Sequence, residues 1–192
     1  MFENVLADIE AARLERRTAL TAHSRWQVFV GRIRVLCRLL TMVIVSYRFS
    51  RWVRKCRIPV LRQILLVIAF LWRRPLGLLM GVHIAPDADI GPGLVIHTPY
   101  GVLIGATKIG RNCTVQSGVL ITYGARGIGN DVYFGAGAKV IGDTRIGNNV
   151  VVMANSLVIT DVPDNSTVVG VPARIRLPGG RPRKFWRTAT PA

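Results

Sequence analysis

The strongest constraint on this chain is a period of six. Aliphatic residues, or Phe, recur at Ile84, Ile90, Ile96 and Val102. After a one-residue slip they recur at Ile109, Val115 and Ile121, and after a second slip at Ile128, Phe134, Val140, Ile146, Val152 and Val158. A helix repeats every 3.6 residues and a long flat strand alternates every two, so neither explains a mark every six. A coil with three short sides, two residues to a side, returns to the same face at that interval. The aliphatic then always points inward. Four residues further on stands a small or β-branched residue, as at Ala88, Cys113, Val119, Ala125, Val132, Ala138, Thr144, Val150, Ser156 and Val162, the size that fits a tight corner. Glycine often follows the aliphatic directly (Gly91, Gly110, Gly129, Gly135, Gly147), and the expectation is that it serves turns of positive φ.

Charge divides the 192 residues into three parts. The chain carries a net +16, yet residues 81–173 hold 5 Lys/Arg and 6 acids, whereas residues 1–80 hold 15 and 4, and residues 174–192 hold 6 and none. The expected organisation is a helical, basic and apolar region over 1–80, a coil domain over 81–174 and a basic tail over 175–192. A balance this basic calls for an anionic partner such as acidic lipid, nucleic acid or a phosphorylated ligand. Three cysteines at 37, 56 and 113 form neither a disulfide framework nor a metal spacing, and no metal is expected. They read as reduced thiols of a cytoplasmic protein.

Met1 to Leu20 has helical spacing of apolar residues, and two apolar stretches edged by arginine follow, Leu39 to Tyr47 and Gln63 to Trp72. Each has about ten uncharged residues where a spanning helix needs ~20, and Pro59 and Pro75 are expected to break the second. Acids at Glu3, Asp8 and Glu10 argue against a signal peptide. Two readings of this flank stand side by side. One is a buried helical subdomain with arginines on a solvated rim. The other is a helix pair lying on an acidic membrane, peripheral on its inner face.

The segments I-G-N-D-V-Y-F-G-A-G-A-K-V-I-G (128–142) and V-P-D-N-S-T-V-V-G-V-P-A-R (162–174), together with the repeat, resemble the hexapeptide-repeat acyltransferases, and among them the serine O-acetyltransferase group and its polysaccharide O-acetyltransferase relatives. The resemblance covers about 80–174. It implies a left-handed parallel β-helix, a homotrimer, and acetyl-CoA lying in a groove between neighbouring coils. It also implies a general base, since a hydroxyl attacks a thioester poorly until an imidazole takes its proton.

His97, in G-L-V-I-H-T-P-Y-G, stands in the coil where the family keeps its catalytic histidine. His83 is a second candidate across a subunit boundary, and His23 lies outside the coil. The family segment reads aliphatic–Asp–His, whereas this one reads Ile96–His97–Thr98, so that Thr98 takes the histidine place; His83 takes that of an acid. Thr98, Tyr100 and Arg126 are the candidate acceptor contacts. For the acyl donor the resemblance points to Gly135, Ala136 and Gly137 along the pantetheine arm, and to Lys139 and Arg174 for the CoA phosphates.

The groups that hold serine in the family are mostly missing. The expectation is therefore an acetyl-CoA-dependent O-acetyltransferase acting on a sugar hydroxyl of a surface polysaccharide or its precursor. The alternative is a serine O-acetyltransferase of cysteine synthesis, against which the ending Thr-Pro-Ala counts, because the family's members usually end in isoleucine. A third reading is a non-catalytic scaffold or nucleic-acid-binding protein, drawn from the tail Arg181-Pro182-Arg183-Lys184-Phe185-Trp186-Arg187; no nucleic-acid motif accompanies it, and no nucleic acid is expected.

Overall fold

The computed structural model describes residues 2–14, 39–54, 56–98 and 100–176. The tail beyond 176, His23, Cys37 and Trp26 lie outside them. Among the described residues, three helices, α1 (Phe2–Leu14), α2 (Leu39–Arg54) and α3 (Pro59–Met80), precede fifteen short strands. The strands are β1 (Val82–Ile84), β2 (Asp89–Ile90), β3 (Val95–Ile96), β4 (Val102–Ile104), β5 (Lys108–Ile109), β6 (Thr114–Val115), β7 (Leu120–Ile121) and β8 (Gly127–Ile128), then β9 (Tyr133–Phe134), β10 (Lys139–Val140), β11 (Arg145–Ile146), β12 (Val151–Val152), β13 (Leu157–Val158), β14 (Thr167–Val169) and β15 (Arg174–Arg176).

Strands three apart in sequence, and finally β12 with β14, pair in parallel, giving three sheets. They run β1-β4-β7-β10-β13, then β2-β5-β8-β11, then β3-β6-β9-β12-β14. The chain thus winds about five coils of a left-handed parallel β-helix. Its interior consists of three columns of the period-six residues: Ile84, Ile104, Ile121, Val140 and Val158; Ile90, Ile109, Ile128, Ile146 and Val162; Ile96, Val115, Phe134, Val152 and Val168. All are buried, as are nine of the ten small residues expected at corners; the tenth, Val162, is not at a corner but bridges Ile146 in the second column. Burial of these side chains contributes roughly 1.5–3 kcal/mol for each large aliphatic.

Two sequence expectations need correction. Val102 is not in phase, because its partner is Val82 and Ile104 stands over Ile84. The first one-residue slip combines a turn two residues longer after Ile96 with a side one residue shorter before Ile109. Nor do the glycines that follow the aliphatics have positive φ. They are required because successive corners stack backbone on backbone. A Cβ on Gly129 would lie 2.5 Å from the Gly147 carbonyl oxygen, and one on Gly91 2.8 Å from the Gly110 carbonyl carbon. The left-handed positions fall elsewhere, to other glycines such as Gly93, Gly118 and Gly142 and to Asn112, Asp131, Asn149, Asn155 and Asn165, which tolerate them through short polar side chains. Gly129→Ala is therefore expected to force two coils apart at a cost of about 1–3 kcal/mol, measurable as a lower midpoint in urea. An unchanged midpoint would contradict this account of the corner.

Below the first coil, helices take the place of a further coil. The Tyr47 hydroxyl donates to the Ala88 carbonyl, Arg48 to those of Ile90 and Gly91, Arg51 to Ala88 and Arg54 to Pro86. The Asp8 carboxylate accepts from the N–H groups of Gly93 (2.7 Å) and Leu94 (2.9 Å) and pairs with Arg48 (3.0 Å). Arg51 and Arg54 also pair with Asp89 and Asp87. Arg48 is thus a buried structural residue, whereas Arg51 and Arg54 sit on a partly solvated rim in ion pairs with the coil. At the far end β15 turns back antiparallel on β14.

The expectation of a buried helical subdomain fails for α3. This helix runs unbroken for 22 residues and is mostly exposed; within it only Ala69 is buried among residues whose side chains are described. Pro59 starts it rather than breaking it, and Pro75 sits inside it. That proline removes only the bond to the Leu71 carbonyl, and Leu71 is exposed, so water can replace it.

Candidate functional site

The corner between the third and first sheets gathers most of the sequence candidates. Ladder bonds stack the residues after the third side of each coil: His97 N–H donates to Val115, Gln116 to Phe134, Gly135 to Val152 and Met153 to Val168. Val169 ends this line, and Arg174 lies opposite it on β15. At about 4.8 Å per step, His97 stands about 10 Å from Gly135 and about 24 Å from Arg174. Such a straight line suits an extended ligand with its reactive end at His97 and an anionic end at Arg174.

His97 and Thr98 are exposed, and no hydrogen bond joins the His97 ring to another described residue. Just beyond them the longer turn holds Tyr100 at φ 86 with its side chain exposed. A bulky residue there is strained by about 1–3 kcal/mol. The turn is fastened on both sides: the Tyr100 N–H donates to Met80, and its carbonyl accepts from Gly118.

Gly135, Ala136 and Gly137 form the same corner two coils up. The N–H groups of Gly135 and Gly137 are already given to Val152 and Ser117, and the Ala136 carbonyl accepts from Asn155. Coil geometry by itself accounts for both glycines, since a Cβ on Gly135 would lie 2.5 Å from the Ala154 nitrogen and Gly137 has φ 71. What this corner offers a ligand is a low wall bearing the Ala136 methyl, between Gln116 on one side and Met153 on the other.

His83 and Lys139 share the outward face of the first sheet, in the column His83, Leu103, Leu120, Lys139 and Leu157. Both are exposed and stand about 14 Å apart, at three strand spacings. His83 also lines a cavity of about 360 Å³ with Tyr47, Phe70, Arg74, Leu78 and Val82; His97 does not. Arg74, Phe70 and Tyr47 were not legible as site residues, because in sequence they are indistinguishable from other cations and aromatics of the apolar flank.

Arg126 lies on a different corner, between the first and second sheets. Its guanidinium reaches Asp143 (3.0 Å) and Asp161 (2.7 Å). The Arg145 N–H and the Arg126 guanidinium hold the Asp161 carboxyl below its ordinary range. Within one protomer Arg126 is not brought to His97. Cys113 is buried in the coil, and burial pushes its thiol up to about 12, which leaves it unreactive at neutral pH. Among the described residues no group of three His, Cys, Asp or Glu is placed to hold a metal ion.

No family model matches the chain. A serine acetyltransferase of Synechococcus elongatus is 38% identical over 151 residues, covering 73% of this chain and 58% of that protein. One of Staphylococcus xylosus is 45% identical over 109 residues, covering 53% and 50%. The chain thus spans little more than half the length of these relatives. Among solved structures, the serine acetyltransferase of Neisseria gonorrhoeae superposes with a TM-score of 0.68 at 28% identity, over 92% of this chain and 65% of that one. The soybean enzyme complexed with serine gives 0.71 at 27%, over 91% and 68%. In sequence over most of its length, and in fold over nearly all of it, this chain resembles the serine acetyltransferases and is a hexapeptide-repeat left-handed β-helix protein.

Proposed function

We propose that the chain is an acetyl-CoA-dependent O-acetyltransferase that works as a homotrimer, with His97 as its general base. The observation that carries the reading is the line of His97, Gly135 and Arg174 up one corner of a coil similar to serine acetyltransferases. The acetyl thioester lies at the His97 end. The imidazole takes the acceptor's hydroxyl proton as the oxygen bonds to the thioester carbonyl carbon. A tetrahedral oxyanion forms and collapses, the C–S bond breaks, and the CoA thiolate leaves with the proton that His97 returns. Ala136, Lys139 and Arg174 flank the donor's path, with the two cations toward its phosphates. Thr98, Tyr100 and His83 border the acceptor, and the strained turn fixes the first two.

Serine is the better-supported acceptor, because the relatives described above are all named for it. The preference for a sugar rested on missing serine-binding groups, and the comparisons lend it no support. One observation keeps it as the second reading: Thr98 and His83 stand where the family has a histidine and an acid, and His83 opens onto a cavity walled largely by apolar side chains. The test is release of free CoA thiol from acetyl-CoA, with serine and then a panel of sugars as acceptors. Release with serine supports the reading in full. Release with a sugar alone reverses the choice of acceptor, and release with neither overturns the enzyme.

A further inference from the structure

The exposed helix α3 is explained neither by the coil nor by its corner. Val60, Val67, Phe70, Leu71, Trp72 and Leu78 all face solvent, and an 18-residue window of this helix has a mean hydropathy of 1.5 with 6% of it buried. An apolar surface this continuous marks an interaction site.

Its charge selects the partner. No acid occurs between Glu15 and Asp87. Arg48, Arg51 and Arg54 of α2 are used on the first coil and its aspartates. Arg57, Arg62 and Arg74 lie on α3 and the turn before it, where the helix pair offers them no carboxylate, and Arg74 lies over the Phe70 ring at 4.8 Å. Two copies of this face would bring like charges together with no acid between them, so a second copy fits poorly. Anionic lipid supplies both the apolar layer and the counter-charge. Trp52 and Trp72 are exposed, with rings suited to headgroup depth.

The fold also decides the orientation. By length alone, 22 residues at 1.5 Å each match the ~30 Å of a bilayer's hydrocarbon. A spanning helix, however, must leave its ends in opposite aqueous phases. Here α2 is fastened to the first coil through Tyr47, Arg48, Arg51 and Arg54, and Pro59 follows Arg54 by only five residues, ~17 Å at most. The other end passes through Gly81 directly into β1. Both ends are held by the same coil body.

We propose that α3 is an in-plane membrane anchor that seats the coil on an anionic lipid surface. This stands apart from the catalytic reading and survives its failure. The test is flotation of the full chain with vesicles of phosphatidylcholine alone or mixed with phosphatidylglycerol. The expected result is flotation with the anionic vesicles only, release by high salt or alkaline carbonate, and a shift of tryptophan emission to shorter wavelength. Joint substitution Val67→Ser, Leu71→Ser and Leu78→Ser, and separately Arg57→Glu with Arg74→Glu, should each lower vesicle binding roughly tenfold or more, with the circular dichroism of the coil unchanged. The proposal is overturned by no flotation, by equal flotation with neutral vesicles, by resistance to carbonate, which means a spanning helix, or by serine variants that lower the oligomer mass while vesicle binding persists.

Discussion

His97→Ala is expected to lower the rate of acetyl transfer by about 10²–10⁴, the usual contribution of a positioned general base. The KM for acetyl-CoA should stay within a few-fold, because in the proposed arrangement the glycine wall and Arg174 lie two to five steps away along the corner. The comparison that gives the result meaning is with its neighbours. Thr98→Ala and His83→Ala should act mainly through the acceptor's KM, since in the proposed site both border the acceptor without taking its proton. The measurement is initial rate of thiol release over a matrix of donor and acceptor concentrations. A His97→Ala protein that retains the full rate, beside a Thr98→Ala protein that loses it, would move the chemistry one residue along the chain. Oligomeric mass and circular dichroism of each variant separate lost chemistry from lost fold.

Asp8→Ala is expected to cost about 3–5 kcal/mol of stability, because it leaves a buried cation without its partner. Arg48 and Asp8 are both nearly inaccessible, and Asp8 also satisfies the N–H groups of Gly93 and Leu94. Burial pushes the Asp8 carboxyl above its ordinary value, against the pull of Arg48 and the two N–H groups. The pair is therefore no large net gain over apolar packing, yet its removal by halves is costly. For a chain of this length the melting temperature should fall by on the order of 10 °C. Differential scanning calorimetry reads it directly. A loss below about 1 kcal/mol would mean that water reaches Arg48 or that α1 is not needed on the first coil.

The coil was legible because its physics is local and repeated. Ile84, Ile90 and Ile96 mark successive sides, and the small residues four places on mark corners, whatever the rest of the molecule does. The Val102 register was not legible: a longer turn compensated by a shorter side looks in sequence like a single slip. The glycines were correctly placed but given the wrong reason, since close backbone stacking between coils is a long-range contact that no single segment shows. Asp8 and the arginines of α2 were hidden for the same cause. Asp8 meets Leu94 across 86 positions, and only the folded chain says which cations are used internally. His97 and its corner neighbours were found through family resemblance. The cavity beside His83 was not, because Tyr47, Phe70 and Arg74 converge there only through the packing of α2 and α3 on the first strand.

The closure of the coil at both ends has a consequence for how copies meet. A bare stack of parallel strands ends in a row of unsatisfied N–H and C=O groups, a template on which another stack can continue. Here Asp8, Tyr47, Arg48, Arg51 and Arg54 occupy one end, and the reversed strand β15 with its exposed Arg174 and Arg176 occupies the other. Continuation of the strand stack along the coil axis into fibres is thereby disfavoured.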